Sequence, residues 1–252
     1  MEKQKVTETW ENFWNFKTKN LKPTPYIKYF FDSHVYIINR WVNLRGEKIL
    51  EVGVGQGILL AQLAITHKTI PFGIDISQNA CKISHNIFNK LKIKGLIIRG
   101  DAFSLPFRDK CFDCVICLGL VEHFKFKENR ELIIKEIKRV AKKGGTVVLS
   151  VPKKWSVYTP KKYIDKVIKK WKFGYEREFT VKEFEKLGSK FFKNIEIMGI
   201  DIHPSPYRFL PPKGAIKWLD ENVIIPFIIR VQNKYPKLIT RISHMICLKG
   251  EV

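Results

Sequence analysis

The sequence has no apolar stretch long enough to cross a bilayer. Its longest apolar run, Val223 to Ile229, contains Pro226 and falls far short of the roughly 20 residues a spanning helix needs. No signal peptide is evident, because Met1 to Glu11 is polar and carries acids early. The expected location is therefore the cytoplasm. Paired cysteines are also missing: the five present are an odd number, which fits reduced thiols. Cys111, Cys114 and Cys117 have the C-x2-C-x2-C spacing of a metal or iron–sulfur site. They fall on or beside an apolar strand, where residues three apart point to opposite faces, so they cannot converge on one ion. No phosphate loop of the form G-x-x-x-x-G-K-[ST] and no nucleophile–base pair occurs. Acids are scarce as well. There are 24 Asp and Glu against 46 Lys and Arg, a formal charge of +22. Such an excess implies affinity for nucleic acid, acidic lipid or anionic small molecules, unless it reflects a lysine-rich proteome.

Hydrophobic residues make up 45% of the 252 positions, enough for one large domain with a substantial core. Short apolar strands alternate with amphipathic helices from Lys48 onward. Lys48–Val52, Thr69–Ile74, Leu96–Ile98, Cys114–Leu118 and Thr146–Val151 read as strands. Ile58–Ala64, Ser77–Lys92 and Asn129–Ala141 read as helices, the last ended by Gly144-Gly145. Thr180 and Glu183 are spaced as a capping box opening a further helix. Ile195–Ile200 and His244–Leu248 look like two late strands. The pattern predicts an α/β fold: a Rossmann-like, doubly wound, mostly parallel seven-stranded sheet. It also predicts one domain over 1–252, with a helical N-terminal cap over 1–45, a core over 46–152 and a helical insertion or lid over 203–241.

Three anchors follow successive strands. Glu51-Val52-Gly53-Val54-Gly55-Gln56-Gly57 is a glycine loop that lets a ligand approach the backbone. Its G-x-G-x-G spacing differs from the dinucleotide fingerprint, because position 58 is Ile. Asp75 ends the second strand, about twenty positions on, where an acid can accept from a ribose diol. Asp101 follows the third strand and is placed to meet an adenine amine. All three lie beyond the carboxyl ends of strands, where open α/β sheets bind ligands.

KILEVGVGQG, GIDIS, GDAFSLPF, FDCVICLGLVEHF and AKKGGTVVLSVP, at 48–57, 73–77, 100–107, 112–124 and 141–152, resemble five consecutive motifs of class I S-adenosylmethionine-dependent methyltransferases. The branch they look most similar to is the one that acts on small molecules, quinones and lipids. GYEREFTVKEFEKL, from 174, resembles a common later helix. The resemblance implies S-adenosyl-L-methionine as cofactor. Gly53, Gly55 and Gly57 would then surround its methionine part, with Glu51 near the amino group. Asp75 would hold the ribose, Ile76 would pack on adenine, and Asp101 and Ala102 would meet the adenine amine. Leu118 would offer its backbone near the methionine. In Val121-Glu122-His123 the position that would complete an E-x-x-E-H metal site is Gly119, so no metal is expected. His123 remains a candidate general base, against the alternative that it only orders its loop. The amino-directed [DN]-P-P-[YF] motif and a Pro-Cys nucleophile are both absent after the fourth strand.

The acceptor is less legible. The readings are a small-molecule or lipid-like acceptor, an RNA acceptor bound through the basic face, or a non-catalytic protein that only binds the cofactor. Pro152 to Gly174 holds eight lysines and one acid, Asp165. After Thr159-Pro160, a good helix start, Ile164, Val167, Ile168 and Trp171 form an apolar stripe with most lysines off it. That pattern suits a peripheral seat on an anionic membrane or an RNA-stacking surface. It also suits a helix packed on the domain with its lysines in water. Oligomeric state is not readable.

Overall fold

The computed structural model describes residues 2–19, 25–156, 158–202, 214 and 218–252. Two helices come first, α1 (Glu2–Lys19) and α2 (Pro25–Trp41). Then follow β1 (Lys48–Val52), α3 (Ile58–His67), β2 (Ile70–Asp75), α4 (Gln78–Lys90), β3 (Leu96–Arg99) and β4 (Phe112–Leu118). A 3-10 turn at Val121–His123 leads into α5 (Lys127–Val140), β5 (Ala141–Pro152), α6 (Thr159–Val167), α7 (Val181–Gly188) and β6 (Lys193–Ile200). A π-turn at Asp220–Ile224 precedes α8 (Ile225–Lys234), α9 (Pro236–Ile242) and β7 (Met245–Glu251). Of the span expected to form a lid, 203–213 and 215–217 lie outside the described residues. Among the described residues no helix is long and apolar enough to cross a membrane.

The seven strands form one sheet in the order β3-β2-β1-β4-β5-β7-β6. The first five are parallel, and β7 runs antiparallel between β5 and β6. This is the Rossmann-like α/β sheet predicted above, with helices on both faces. Consecutive residues of each apolar strand feed different cores. Leu50, Val52, Val115, Cys117, Val147 and Leu149 pack on one side with α5 and α7. Ile49, Cys114, Ile116 and Val148 pack on the other with α2 and α3. An unbroken apolar run in sequence thus reflects a strand buried on both faces.

One local expectation fails. Gly144-Gly145 does not end α5, which stops at Val140. Strand β5 begins at Ala141, beside Phe112 of β4. Gly144 (φ 74) is a bend at the outer end of that strand. Periodicity alone cannot separate an early strand from a helix end when lysines and glycines occupy the ambiguous turn. The strand order reverses between β1 and β4, and this switch point is where such sheets form a ligand crevice.

Candidate cofactor site

At the switch point, a cavity is floored by the β1 loop and the ends of β2 and β4, and roofed by α1 and α2. The loop after β1 is held by its own backbone. Gly53 and Val54 both donate to the Ile74 carbonyl, at 2.8 and 3.0 Å. Gly53, Gly55 and Gly57 all have positive φ, a conformation that other L-residues adopt at a cost. At Gly55 the constraint is double, because a Cβ there would sit 2.9 Å from the Trp14 indole.

Glu51, Gly53, Gly55, Asp75, Ile76, Asp101, Ala102 and Leu118 all line the cavity. Gly57 does not. It caps the N-terminus of α3, and a Cβ there would lie 3.0 Å from the Ser84 hydroxyl. The Asp75 carboxylate accepts from the Gly55 amide (3.0 Å) and the Ser77 amide (2.9 Å). Ser77 in turn caps α4, accepting from Ala80. Asp101 accepts from the Phe103 amide at 3.0 Å and pairs with Lys3 of α1.

The electrostatics of the floor are unusual. Glu51 is 3% exposed, and its Oε2 has no hydrogen-bond partner. Burial, aided by the charge of Asp75 and opposed by the Leu60 amide, pushes its carboxyl up to about 8. Burial also raises Asp75, to about 6, against the pull of the Ser77 and Gly55 amides. Two acids thus sit side by side, and among the described residues no cation pairs with either. The donor set fits S-adenosylmethionine: the orphaned Glu51 oxygen suits an ammonium, and Asp75 at the end of β2 suits a diol.

His123 is not part of the lining. It is buried, its Nδ1 lies 2.9 Å from the Tyr175 carbonyl, and the Trp10 indole packs edge-on against it with ring centroids 4.8 Å apart. Burial lowers its pKa. Glu122 is also buried, and burial together with nearby Glu176 holds its carboxyl well above the usual range. Behind this turn, Lys162 is enclosed by Glu176 (2.8 Å) and Glu178 (3.0 Å).

The roof contains residues that the motifs do not mark. Lys3, Trp10 and Trp14 of α1 and Phe30 and Phe31 of α2 face the cavity. Glu2 accepts from the Lys125 amide and Asn129, and Glu11 accepts from Asn79, so α1 is tied down at several points along its length. The only sequence signal for this roof is the aromatic density before β1.

Comparison with known proteins agrees with this geometry. A methyltransferase-domain family model matches residues 50–149. An uncharacterized protein of Methanocaldococcus jannaschii is 33% identical over 151 residues, 58% of this chain and 65% of that one. A phosphatidylethanolamine N-methyltransferase of Cereibacter sphaeroides is 33% identical over 110 residues, 43% of this chain and 52% of that one. The matches thus span less than two thirds of either relative. Magnesium protoporphyrin IX methyltransferase from Synechocystis, solved with S-adenosylhomocysteine bound, shares the fold at a TM-score of 0.65. It has 15% identity, and the match covers 99% of both chains. Four of the five motifs line one cavity, and residues 50–149 form a methyltransferase domain of the class I S-adenosylmethionine-dependent kind.

Proposed function

We propose that this protein transfers a methyl group from S-adenosylmethionine to a small-molecule or lipid-like acceptor. The observation that carries the reading is the buried acid pair Glu51 and Asp75, which faces the cavity with one carboxylate oxygen unpartnered. A cationic ligand lets both acids ionise, and no described side chain supplies that charge. When bound, S-adenosylmethionine supplies an electrophilic methyl on a sulfonium.

The chain's own contribution is to position and to exclude water. Glu51 receives the ammonium, Asp75 the ribose hydroxyls and Asp101 the adenine amine, for which Lys3 must yield. Gly53 and Gly55 keep the floor thin. Trp10 and Trp14 close the roof, and Phe30, Phe31, Leu120 and Phe124 give the cavity an apolar wall. That wall favours an apolar acceptor, and the similar Cereibacter enzyme is named for a phospholipid substrate. Alignment of acceptor and donor in a dry site can supply most of the rate enhancement.

His123, in this reading, is a positioning residue. It ties the turn after β4 to Tyr175 and braces Trp10. The conservative variant His123→Asn keeps a donor near Nδ1 and retains most activity with an unchanged pH profile. A severe loss of activity in His123→Asn, with the acid limb gone from the profile of what remains, marks a general base instead.

The direct test is calorimetric titration of S-adenosylmethionine into the wild type and Asp75→Ala. It is followed by transfer of labelled methyl into organic-extractable and RNA fractions. Wild-type binding that Asp75→Ala abolishes, with label in the organic fraction, is expected. A folded wild type that binds no S-adenosylmethionine sinks the proposal.

A further inference from the structure

The pattern of α6 allows two orientations: its apolar stripe packed on the domain with the lysines in water, or the stripe turned outward. The second is the one found: Lys162 is 3% exposed, while Ile164 is 58%, Val167 81% and Ile168 50% exposed. The cause is Lys162. Burial alone would lower its ammonium, but Glu176 and Glu178 together hold it above its usual range. That enclosed ion pair fixes the helix rotation, and the apolar stripe is left in water.

The exposed stripe does not stand alone. Trp155, just before α6, is 73% exposed, with the Lys154 ammonium 5.7 Å from its ring. Tyr158, before the first turn of α6, packs at a tilt against His244, which follows α9, with ring centroids 4.4 Å apart. Helices α8 and α9 also carry exposed apolar side chains: Phe227 and Leu238 are both more than half exposed. Cations surround these side chains. Lys166, Lys169 and Lys170 are exposed beside the α6 stripe, and so are Arg230, Lys234, Lys237 and Arg241 on α8 and α9. Acids are almost missing. Asp165 is the one acid between Lys153 and Lys172 and is paired with Lys161, and none occurs from Ile225 to His244.

We propose that α6 docks on an anionic lipid membrane, the apolar stripe entering the interface and the lysines meeting the headgroups. Isolated exposed hydrophobics need no explanation, but an aliphatic and aromatic stripe ringed by cations does. The pattern selects the partner by charge. A second copy of this chain would oppose its own lysines across the contact. RNA could use Trp155, Tyr163 and the lysines, yet would leave Ile164, Val167 and Ile168 in water. An anionic bilayer satisfies both kinds of group, since basic residues and apolar insertion add there. The proposal does not depend on methyl transfer, because it concerns the outer surface.

The test is co-sedimentation of the full chain with vesicles of mixed phosphatidylcholine and phosphatidylglycerol, and with phosphatidylcholine alone. Partition into the mixed vesicles only, with a blue shift of tryptophan emission, is expected. The double variants Val167→Glu with Ile168→Glu, and Lys169→Glu with Lys170→Glu, each lower the partition coefficient by roughly tenfold or more. All four positions are exposed, so melting temperature and S-adenosylmethionine binding stay at wild-type values and exclude misfolding. Absence of partition into the mixed vesicles overturns the proposal. So does partition that Val167→Glu with Ile168→Glu leaves unchanged. Salt-sensitive binding to a homopolymeric RNA, lost in the lysine variant but kept in the valine–isoleucine variant, overturns it in favour of RNA.

Discussion

Two buried charge clusters lie on either side of the turn after β4, and they are built on opposite plans. Glu51 and Asp75 are acids open to a cavity, with no cation paired to them among the described residues. Lys162, Glu176 and Glu178 form a closed set in which the cation meets two carboxylates. Burying an unpaired charge is expensive, so such a group is retained where something else completes it. The first cluster is thus poised for a cationic ligand. The second has its cation in place and acts on shape, setting the rotation of α6. Perturbed acids alone would not separate the two. What separates them is whether the cation is already present.

The comparison is broken most forcefully at Lys162. Lys162→Met leaves Glu176 and Glu178 without their counter-charge and lowers stability by about 3 kcal/mol, read as a fall in denaturant midpoint. Affinity for S-adenosylmethionine in the remaining folded protein stays at the wild-type value. A large loss of affinity at unchanged stability would merge the clusters into one functional unit.

Asp75→Ala has the reverse signature. It removes the acceptor of the Gly55 and Ser77 amides and the proposed ribose partner, and affinity falls by roughly 100-fold in a calorimetric titration. The unfolding midpoint changes less, because the cost of burying the carboxylate offsets its bonds to the two amides.

Glu51 sharpens the contrast through pH. Its folded pKa, about 8, lies above the unfolded value, so the folded state binds the extra proton between the two. Stability of the ligand-free protein therefore falls as pH rises from the unfolded pKa through about 8. Glu51→Gln flattens that decline and melts higher than wild type under mildly alkaline conditions. Ligand binding needs the carboxylate, so wild-type affinity rises as pH is raised toward 8 and binding near neutrality releases a proton. Titrations in buffers of different ionisation enthalpy measure that release. Glu51→Gln binds more weakly and releases no proton from this site.

The smallest effect belongs to Lys3. Its pair with Asp101 is largely exposed on the lysine side, and such pairs contribute roughly 0–1 kcal/mol. Lys3→Ala shifts S-adenosylmethionine affinity by no more than about fivefold, toward tighter binding if the pair must open. A tenfold loss would show that Lys3 holds the ligand rather than competing with it.

Much of the fold was legible because its signals are local. Short apolar strands bounded by glycine, acid and amphipathic helix give the βαβ order directly, and the Thr180–Glu183 capping box forms as spaced. The anchors Glu51, Asp75 and Asp101 could be read because strand ends converge on one edge of such a sheet. Less was legible about the roof. Nothing in the spacing of Trp14 shows that its indole would rest over Gly55, since α1 and the loop meet only in the tertiary structure. His123 was singled out for its chemistry, yet whether it reaches a ligand depends on Trp10 and Tyr175, both remote in sequence.

The strand order, the glycine loop and the row of acids could be read directly from the chain, because each depends on residues within one strand and its following turn. Tertiary structure alone decided which charges were neutralised and which side chains faced water. Helix α6 shows the reason. Its period separates an apolar stripe from lysines, but period cannot say which side is inward. Glu176 and Glu178, more than ten positions away, fold over Lys162 and turn the stripe outward. Burial and ion pairing are set by neighbours that the chain brings together from a distance.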